Sequence, residues 1–159
     1  MKTYPVVLSI AGSDCSGGAG IQADIKTISA LGAYAASVIT AVTVQNTRGV
    51  KAVHIVPAEI VQGQIEAVME DLRPDALKIG MVSEPALVKI IAGCLLKYPH
   101  CPIVYDPGMV STSGRKLMAK DAIQLIKEEL FPLTSLITPN LDETEVLTGK
   151  KITTAEEMK

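Results

Sequence analysis

Aromatic residues are scarce in this chain: tryptophan is absent, and phenylalanine and tyrosine together make up 3% of its 159 residues. Hydrophobic residues still account for 48% of the sequence. A buried core must therefore consist mainly of alanine, valine, isoleucine and leucine. Strands of such residues, buried on both faces, are typical of a parallel sheet that helices cover. The length predicts one domain, complete or incomplete, over residues 1–159.

Two kinds of sequence run are also missing. No apolar run is long enough for a membrane span, and the chain does not start with the charged and apolar regions of a signal peptide. The formal net charge is −2, and lysine and arginine do not cluster as they do in proteins that bind nucleic acid backbones. We therefore predict a cytoplasmic protein that contacts neither nucleic acid nor membrane.

Residues that build disulfide frameworks or zinc sites are few. The three cysteines are Cys15, Cys94 and Cys101, an odd number with scattered spacing that does not suit a disulfide framework. Cys94 and Cys101 are too far apart in the sequence for the CxxC pair of a zinc site. We expect His54 and His100 on the surface or in loops.

Short apolar segments alternate with amphipathic ones along the chain. The predicted strands are Pro5–Ile10, Val38–Val44, Ala76–Gly80, Pro102–Asp106 and Ser135–Thr138. The predicted helices are Ile21–Leu31, Ala58–Leu72, Glu84–Tyr98 and Ala119–Leu130, a short helix opened by Asn140, and a helix that begins within 153–159. This order predicts an α/β fold with a mostly parallel sheet.

A glycine-rich loop, AGSDCSGGAG at 11–20, follows the first predicted strand. The spacing from Gly12 to Gly17 matches a P-loop, but Gly18 stands where that motif needs a lysine. The loop is too long for the tight turn of a dinucleotide-binding fold, and no acidic residue follows at the distance that would hold a ribose. The loop is either a structural turn or a place where backbone approaches a ligand closely.

Asp24 is predicted to lie on the apolar stripe of the first helix, between Ile28 and Leu31 at about 100° per residue. A carboxylate in that position is costly to bury unless it is hydrogen-bonded. Either a partner within the protein or a ligand satisfies it, and the spacing leaves both possibilities open.

Polar residues or glycines lie at the carboxyl ends of all five predicted strands, which is where parallel sheets bind ligands. Gln45 follows the second strand with an amide that donates and accepts, as an aminopyrimidine edge requires. The segment 46–49 equally fits a plain turn. Met81 fits either the core or a ligand cover, and Asp106 either faces a site or caps its loop.

Asn140 and Glu143 have the spacing of a capping box at a helix start. The start of a helix also favours anions. A structural cap and a place near phosphate and magnesium are therefore compatible at this position.

Together and in this order, these motifs resemble the hydroxymethylpyrimidine kinase branch of the ribokinase-like superfamily. The segments that carry the resemblance are AGSDCSGGAGIQADIKT (11–27), TAVTVQNTRGV (40–50), LKIGM (77–81), DPGMVSTSG (106–114) and TPNLDE (138–143). The resemblance implies a doubly wound sheet with helices on both faces. It also implies ATP-dependent phosphorylation of 4-amino-5-hydroxymethyl-2-methylpyrimidine and of its monophosphate in thiamine biosynthesis, by a homodimer.

The resemblance assigns roles to individual positions. Those that hold the pyrimidine are Gly12, Asp24 and Gln45 by hydrogen bonds and Met81 by packing on the ring. Those around the ATP phosphates and Mg²⁺ are Asp106, Asn140 and Glu143, the last reaching the ion through water.

Two departures from the family pattern matter. Gly108 stands where the family usually has valine in DPVM, which removes one wall of the substrate site. The family's glycine-rich anion hole and catalytic base are expected beyond Lys159. We therefore expect an incomplete kinase domain that has no catalytic base of its own, binds weakly and does not turn over.

Three other functions are compatible with parts of the sequence. A pyridoxal or pyridoxine kinase would phosphorylate a similar hydroxymethyl group, but its ring has no amino–imine edge to match Gln45. A non-catalytic pyrimidine-binding module would explain the expected lack of turnover. A dinucleotide-binding oxidoreductase domain is disfavoured by the loop.

Overall fold

The structure is a computed structural model, and it describes residues 4–98, 101–108, 118 and 120–157. Within these residues the strands are β1 (Val6–Ser13), β2 (Tyr34–Asn46), β3 (Gly49–Ile55), β4 (Ala76–Ile79), β5 (Ile103–Tyr105) and β6 (Leu136–Ile137). The helices are α1 (Gly20–Ala30), α2 (Ala58–Asp71), α3 (Pro85–Lys97), α4 (Lys120–Leu125) and α5 (Leu141–Thr148). The helical path after α4 continues as a π-helical turn, Ile126–Leu130, and a 3₁₀ turn, Phe131–Leu133.

The strands form one sheet in the order β3-β2-β1-β4-β5-β6. All neighbouring pairs are parallel except β2 with β3, which are antiparallel. The prediction of an α/β fold with a mostly parallel sheet is confirmed. The short β-branched segments form strands here because a parallel sheet buries them on both faces.

Helices cover both faces of the sheet. The residues Leu8 and Ile10 of β1 point to one face, where they join a core formed with α2, α3 and α4. Ser9, between them, points to the opposite face, where α1 packs and Asp24 accepts its hydroxyl hydrogen. This alternation follows from the two-residue period of a strand.

The antiparallel strand β3 is the element that the sequence prediction missed. A tight turn joins β2 to β3 with Asn46 opposite Gly49 in the register. The backbone N–H of Arg48 donates to Asn46 Oδ1 at 2.9 Å, which is the local hydrogen bonding of an Asx-turn. The turn predicted at 46–49 is confirmed, and Gln45 lies inside β2 rather than after it.

The end of the described chain differs from the prediction. No helix forms within the described part of 153–157, although Thr154 and Glu157 exchange the two hydrogen bonds of a capping box. Three other predicted features fall outside the described residues: the helix start at Ala119, His100, and 109–114 of the DPGMVSTSG segment.

In the described ranges no helix combines the length and the apolar character that crossing a bilayer requires. All three cysteines are free, with Cys15 exposed and Cys94 buried. His54 is exposed on β3, as predicted.

Candidate functional site

A cavity of about 310 Å³ lies at the carboxyl ends of the central strands. Its walls come from the end of β1 and the loop after it, from β2 and β3, from β4 and the residues that follow it, and from the residues that follow β5. The lining residues are Ala11, Gly12, Ser13, Asp14, Ala19, Gly20, Thr43, Gln45, Val50, Val53, Lys78, Gly80, Met81, Asp106 and Gly108. The volume and the position at this edge of the sheet are those of small-molecule sites in α/β proteins.

The glycine-rich loop is held together by Asp14, which is 4% exposed. The Asp14 carboxylate accepts hydrogen bonds from the backbone N–H groups of Ser16 at 2.8 Å, Ala19 at 2.9 Å and Gly18 at 3.1 Å, and from the Ser16 hydroxyl at 2.7 Å. Burial alone raises the pKa of Asp14, but these hydrogen bonds outweigh it and leave the pKa below the ordinary value. The N–H groups that a phosphate would need are thus already engaged by the chain's own carboxylate.

Gln22 and Gly20 fix the loop onto α1. The Gln22 side chain accepts from Asp14 N at 2.8 Å and donates to Ser13 Oγ at 2.7 Å. Gly20 has a φ of +56°, and a Cβ there would overlap the Gly12 carbonyl oxygen. The backbone of Gly12 is therefore presented to the cavity by a loop that admits little rearrangement.

Asp24 is engaged within the protein. Its Oδ2 accepts from Ser9 Oγ at 2.5 Å and lies 3.0 Å from Lys78 Nζ. Its Oδ1 lies 3.1 Å from the same ammonium nitrogen. Of the two possibilities that the helix spacing left open, the structure supplies the internal partner. Asp24 also does not line the cavity, whereas Lys78 does, so direct contact between Asp24 and a ligand stays a prediction.

Gln45 and Met81, both predicted to contact a ligand, line the cavity with Gly12. The Thr43 hydroxyl oxygen lies 2.9 Å from the Ser13 carbonyl oxygen and 3.2 Å from Gln45 Oε1. A Cβ at Gly12 would lie 3.1 Å from Met81 Cε. The cavity thus has an apolar side at Met81 and a polar side at Gln45.

Asp106 lines the cavity from the end of β5. Its side chain is 50% exposed, and its Oδ2 lies 3.4 Å from Lys78 Nζ. Gly108, two residues on, also lines the cavity and has a φ of +54°. Valine, which the resemblance leads us to expect at this position, would be strained in that conformation.

Asn140 and Glu143 form the capping box at the start of α5. Asn140 Oδ1 accepts from Glu143 N at 2.9 Å, and Glu143 Oε2 accepts from Asn140 N at 2.9 Å. The structural half of the prediction is confirmed. Neither residue lines the cavity, and Glu143 is 3% exposed.

Comparison with known proteins identifies the family. The model of the phosphomethylpyrimidine kinase family matches residues 14–159. The chain belongs to the phosphomethylpyrimidine kinase family.

Relatives within this family agree in sequence and structure. The hydroxymethylpyrimidine/phosphomethylpyrimidine kinase of Rhizobium meliloti is 55% identical over 147 residues, which are 92% of this chain and 55% of the relative. The crystal structure of phosphomethylpyrimidine kinase from Clostridium difficile 630 superposes with a TM-score of 0.90 at 51% identity, covering 97% of this chain and 67% of that one. The chain thus spans about half the length of the curated relative, and its fold is ribokinase-like.

A pyridoxal kinase is also structurally similar. The structure of the Staphylococcus aureus pyridoxal kinase in complex with pyridoxal superposes with a TM-score of 0.88 at 30% identity, covering 99% of this chain and 57% of that one. The phosphomethylpyrimidine kinases named above share more of the sequence.

Two residues of the site were missed by sequence reasoning. Lys78 is a charge inside the otherwise apolar segment ALKIG, and a lysine in a buried strand is a signal that it has a partner. Asp14 precedes Ser16 and three nearby glycines, which is a signal for a side chain that caps its own turn.

The part of the chain that the structure describes contains no group of three or more His, Cys, Asp and Glu side chains that could hold a metal ion. Magnesium does not require one, since it is usually bound by one or two carboxylates together with substrate phosphates. The half-exposed Asp106 fits that use better than Glu143, whose carboxylate is buried in the cap.

Proposed function

We propose that the protein to which this chain belongs transfers phosphate from ATP to 4-amino-5-hydroxymethyl-2-methylpyrimidine, and to its monophosphate, in thiamine biosynthesis. Family membership supports the reaction class. The observation that carries the proposal is the meeting of Gly12, Gln45 and Met81 in one cavity. These residues are far apart in sequence, and the resemblance assigns each of them to the pyrimidine.

The chemistry of the cavity suits an aminopyrimidine. The Thr43 hydroxyl has one proton, and the Ser13 carbonyl, which can only accept, takes it at 2.9 Å. The Gln45 amide is then best turned so that its NH₂ group donates to Thr43 Oγ1, an assignment made from the hydrogen-bond network. Its carbonyl oxygen is left to accept from a ligand amino group. Met81 supplies an apolar surface on which a ring packs.

ATP and Mg²⁺ complete the proposal. Asp106 would hold Mg²⁺ at the cavity, and Glu143 would contribute through water. Bound there, the ion would neutralise charge on the transferred phosphate. Asn140 would lie near the nucleotide phosphates at the start of α5, where helix N–H groups favour anions. The homodimer is a proposal that rests on the resemblance, and the cytoplasmic location stays a prediction from the sequence.

The test is a nuclear magnetic resonance titration of this chain with 4-amino-5-hydroxymethyl-2-methylpyrimidine. We expect shifts at Gly12 and Gln45 and a dissociation constant weakened by about tenfold or more in Gln45→Leu, since a ligand amino group would lose its acceptor. The matched control is Gln62→Leu on α2, where the side chain donates to Glu66. Absence of shifts at the cavity in the unmodified chain would refute the pyrimidine site.

Pyridoxal kinase is the alternative that a structural neighbour supports. It is tested by the same titration with pyridoxal in place of the pyrimidine. We expect weaker binding of pyridoxal, because its ring offers no amino group to the Gln45 carbonyl. Tighter binding of pyridoxal would select the alternative.

A turnover assay tests the alternative that this chain is a non-catalytic pyrimidine-binding module. With magnesium and ATP we expect this chain to form no phosphorylated pyrimidine, because the catalytic base is assigned to a later segment of the family's fold. Measurable product would contradict both that expectation and a binding-only function.

A further inference from the structure

Lys78 brings the only cationic side chain to the cavity among the described residues that line it. It lies in the middle of β4, where its neighbours Leu77 and Ile79 point into the core on the other face. A Cβ at Gly80 would lie 3.0 Å from Lys78 Nζ. Glycine at that position therefore leaves the space that the ammonium group occupies.

The partners of Lys78 differ in strength. Both oxygens of Asp24 lie within 3.1 Å of Lys78 Nζ, and the two side chains are 17% and 22% exposed. Asp106 Oδ2 is more distant at 3.4 Å, and that side chain is 50% exposed. A long contact to a half-exposed carboxylate contributes little. Asp24 thus fixes the ammonium in place, while Asp106 is the partner that is readily exchanged.

We propose that Lys78 binds the phosphate group of a pyrimidine monophosphate, and that this group displaces Asp106 from the ammonium. The proposal rests on the proposed function, which includes a neutral alcohol and its monophosphate as substrates of one site. Lys78 is then the residue that distinguishes the charged substrate from the neutral one. Asp24 and Ser9 are positioning residues that act through Lys78.

The charges of the cavity explain why one residue matters so much. Asp14 and Asp106 are acidic, so apart from Lys78 the ionisable side chains of the lining repel a phosphate. The N–H groups of the glycine-rich loop are engaged by Asp14 and offer no substitute. A neutral hydroxymethyl group gains much less from an ammonium than a phosphate does, because hydrogen bonds between charged groups are the stronger ones.

The test measures dissociation constants of this chain for two probes, 4-amino-5-hydroxymethyl-2-methylpyrimidine and its monophosphate, by titration at low salt. In Lys78→Gln we expect the monophosphate to bind about ten- to a hundredfold more weakly, and the neutral pyrimidine to change by less than about threefold. Lys78→Arg should restore part of the monophosphate affinity. Added salt should weaken the monophosphate alone.

Two further variants separate this role from a structural one. Lys97→Gln removes the same charge from a surface ion pair, in which Lys97 of α3 contacts Glu66 of α2. This variant should leave both affinities unchanged. Asp24→Asn combined with Lys78→Gln removes both charges of the pair, so that no uncompensated carboxylate stays buried if Lys78→Gln alone does not fold. The reference for this double variant is Asp24→Asn alone, so that any contact of Asp24 with the ring cancels. Relative to that reference, the double variant should bind the monophosphate more weakly and the neutral pyrimidine about equally.

Equal losses for the two probes, no loss for the monophosphate, or an equal effect of Lys97→Gln would each overturn the proposal. If the unmodified chain binds both probes and Lys78→Gln weakens neither, the inference about Lys78 fails and the proposed function stands. If the unmodified chain binds the neutral pyrimidine but not the monophosphate, the inference fails together with the monophosphate half of the proposed function. If the unmodified chain binds neither probe, both fail.

Discussion

The ammonium nitrogen of Lys78 lies 3.0 Å from Asp24 Oδ2, which joins β4 to α1 through a pair of charges 54 residues apart in sequence. Each of these partly buried charges is compensated by the other. The Ser9 hydroxyl donates a further hydrogen bond to the Asp24 carboxylate. The carboxylate that looks misplaced on an apolar helix stripe is thus one half of an ion pair beneath the cavity.

Removing one member of this pair should destabilise the fold. We expect Asp24→Asn to lower the free energy of unfolding by about 1–3 kcal/mol, less than for a fully buried pair because both side chains keep some solvent contact. The double variant with Lys78→Gln should lose less than the sum of the two single losses. Urea unfolding of the four proteins of this cycle gives the answer, and strictly additive losses would show that the contact contributes nothing.

Local sequence patterns predicted most of the architecture, because most strands are buried on both faces and most helices keep one apolar side. β3 escaped prediction since its sequence GVKAVHI lies at the edge of the sheet, and four consecutive residues, 51–54, are exposed. Such a strand is specified by its hairpin partner rather than by burial. The two-residue turn Thr47-Arg48 also lacks the glycine pairs that usually signal a hairpin.

The candidate site was predictable only in part. Gln45 and Asp106 were found because polar residues at the ends of parallel strands meet at one edge of the sheet, and the ligand role of Met81 came from the resemblance. The partner of Asp24 could not be predicted from the sequence. Ser9 and Lys78 come to lie side by side beneath α1 only because β1 and β4 pair in this register. An ion pair between a strand and a helix that are far apart in sequence depends on tertiary structure that no local pattern contains.

Asp14 should make the stability of the loop depend on pH. Its pKa is lowered from 3.8, so the folded protein binds this proton less readily than the unfolded chain does. The stabilisation is complete above the unfolded pKa and is lost as the pH falls through the folded pKa. We expect Asp14→Asn to be less stable than the unmodified chain by a constant amount between about pH 5 and 8, with the difference shrinking below about pH 4.

Urea unfolding at a series of pH values measures this difference, with Asp71→Asn at the exposed end of α2 as the control. An asparagine at position 14 has one acceptor oxygen and an NH₂ group that opposes the N–H groups of Gly18 and Ala19. A difference that grows on acidification would contradict the assignment.

Two glycines should respond to alanine in opposite directions. Gly20 has a left-handed conformation, and Gly20→Ala places a Cβ against the Gly12 carbonyl oxygen. We expect the free energy of unfolding to fall by about 1–3 kcal/mol or more, together with loss of pyrimidine binding. Gly63 lies inside α2, and a Cβ there would have no atom within 4 Å. Gly63→Ala should therefore stabilise the protein by about 0.5–1 kcal/mol. Thermal unfolding compares the two, and a tolerated Gly20→Ala would show that the loop relaxes more easily than its contacts indicate.

Tyr105 is buried completely, and its hydroxyl has no hydrogen-bond partner among the described residues. Burial raises the pKa of this phenol, and the nearby carboxylates of Glu143 and Asp106 raise it further. Because an unsatisfied buried hydroxyl costs stability, we expect Tyr105→Phe to unfold at an equal or higher urea concentration, with a gain of up to about 1 kcal/mol. The ring itself stays packed edge-to-face against Phe131 at a centroid distance of 5.8 Å.

The control for Tyr105→Phe is Tyr98→Phe, because the Tyr98 hydroxyl donates to Glu70 at 3.3 Å near the surface. That substitution should change the free energy of unfolding by less than about 0.5 kcal/mol. If Tyr105→Phe instead destabilises the chain by more than about 1 kcal/mol, the hydroxyl has a hydrogen-bond partner, since loss of such a bond is the remaining cost of so conservative a change. Carrying out both substitutions in the same denaturant series separates the loss of an exposed hydrogen bond from the removal of a buried polar atom.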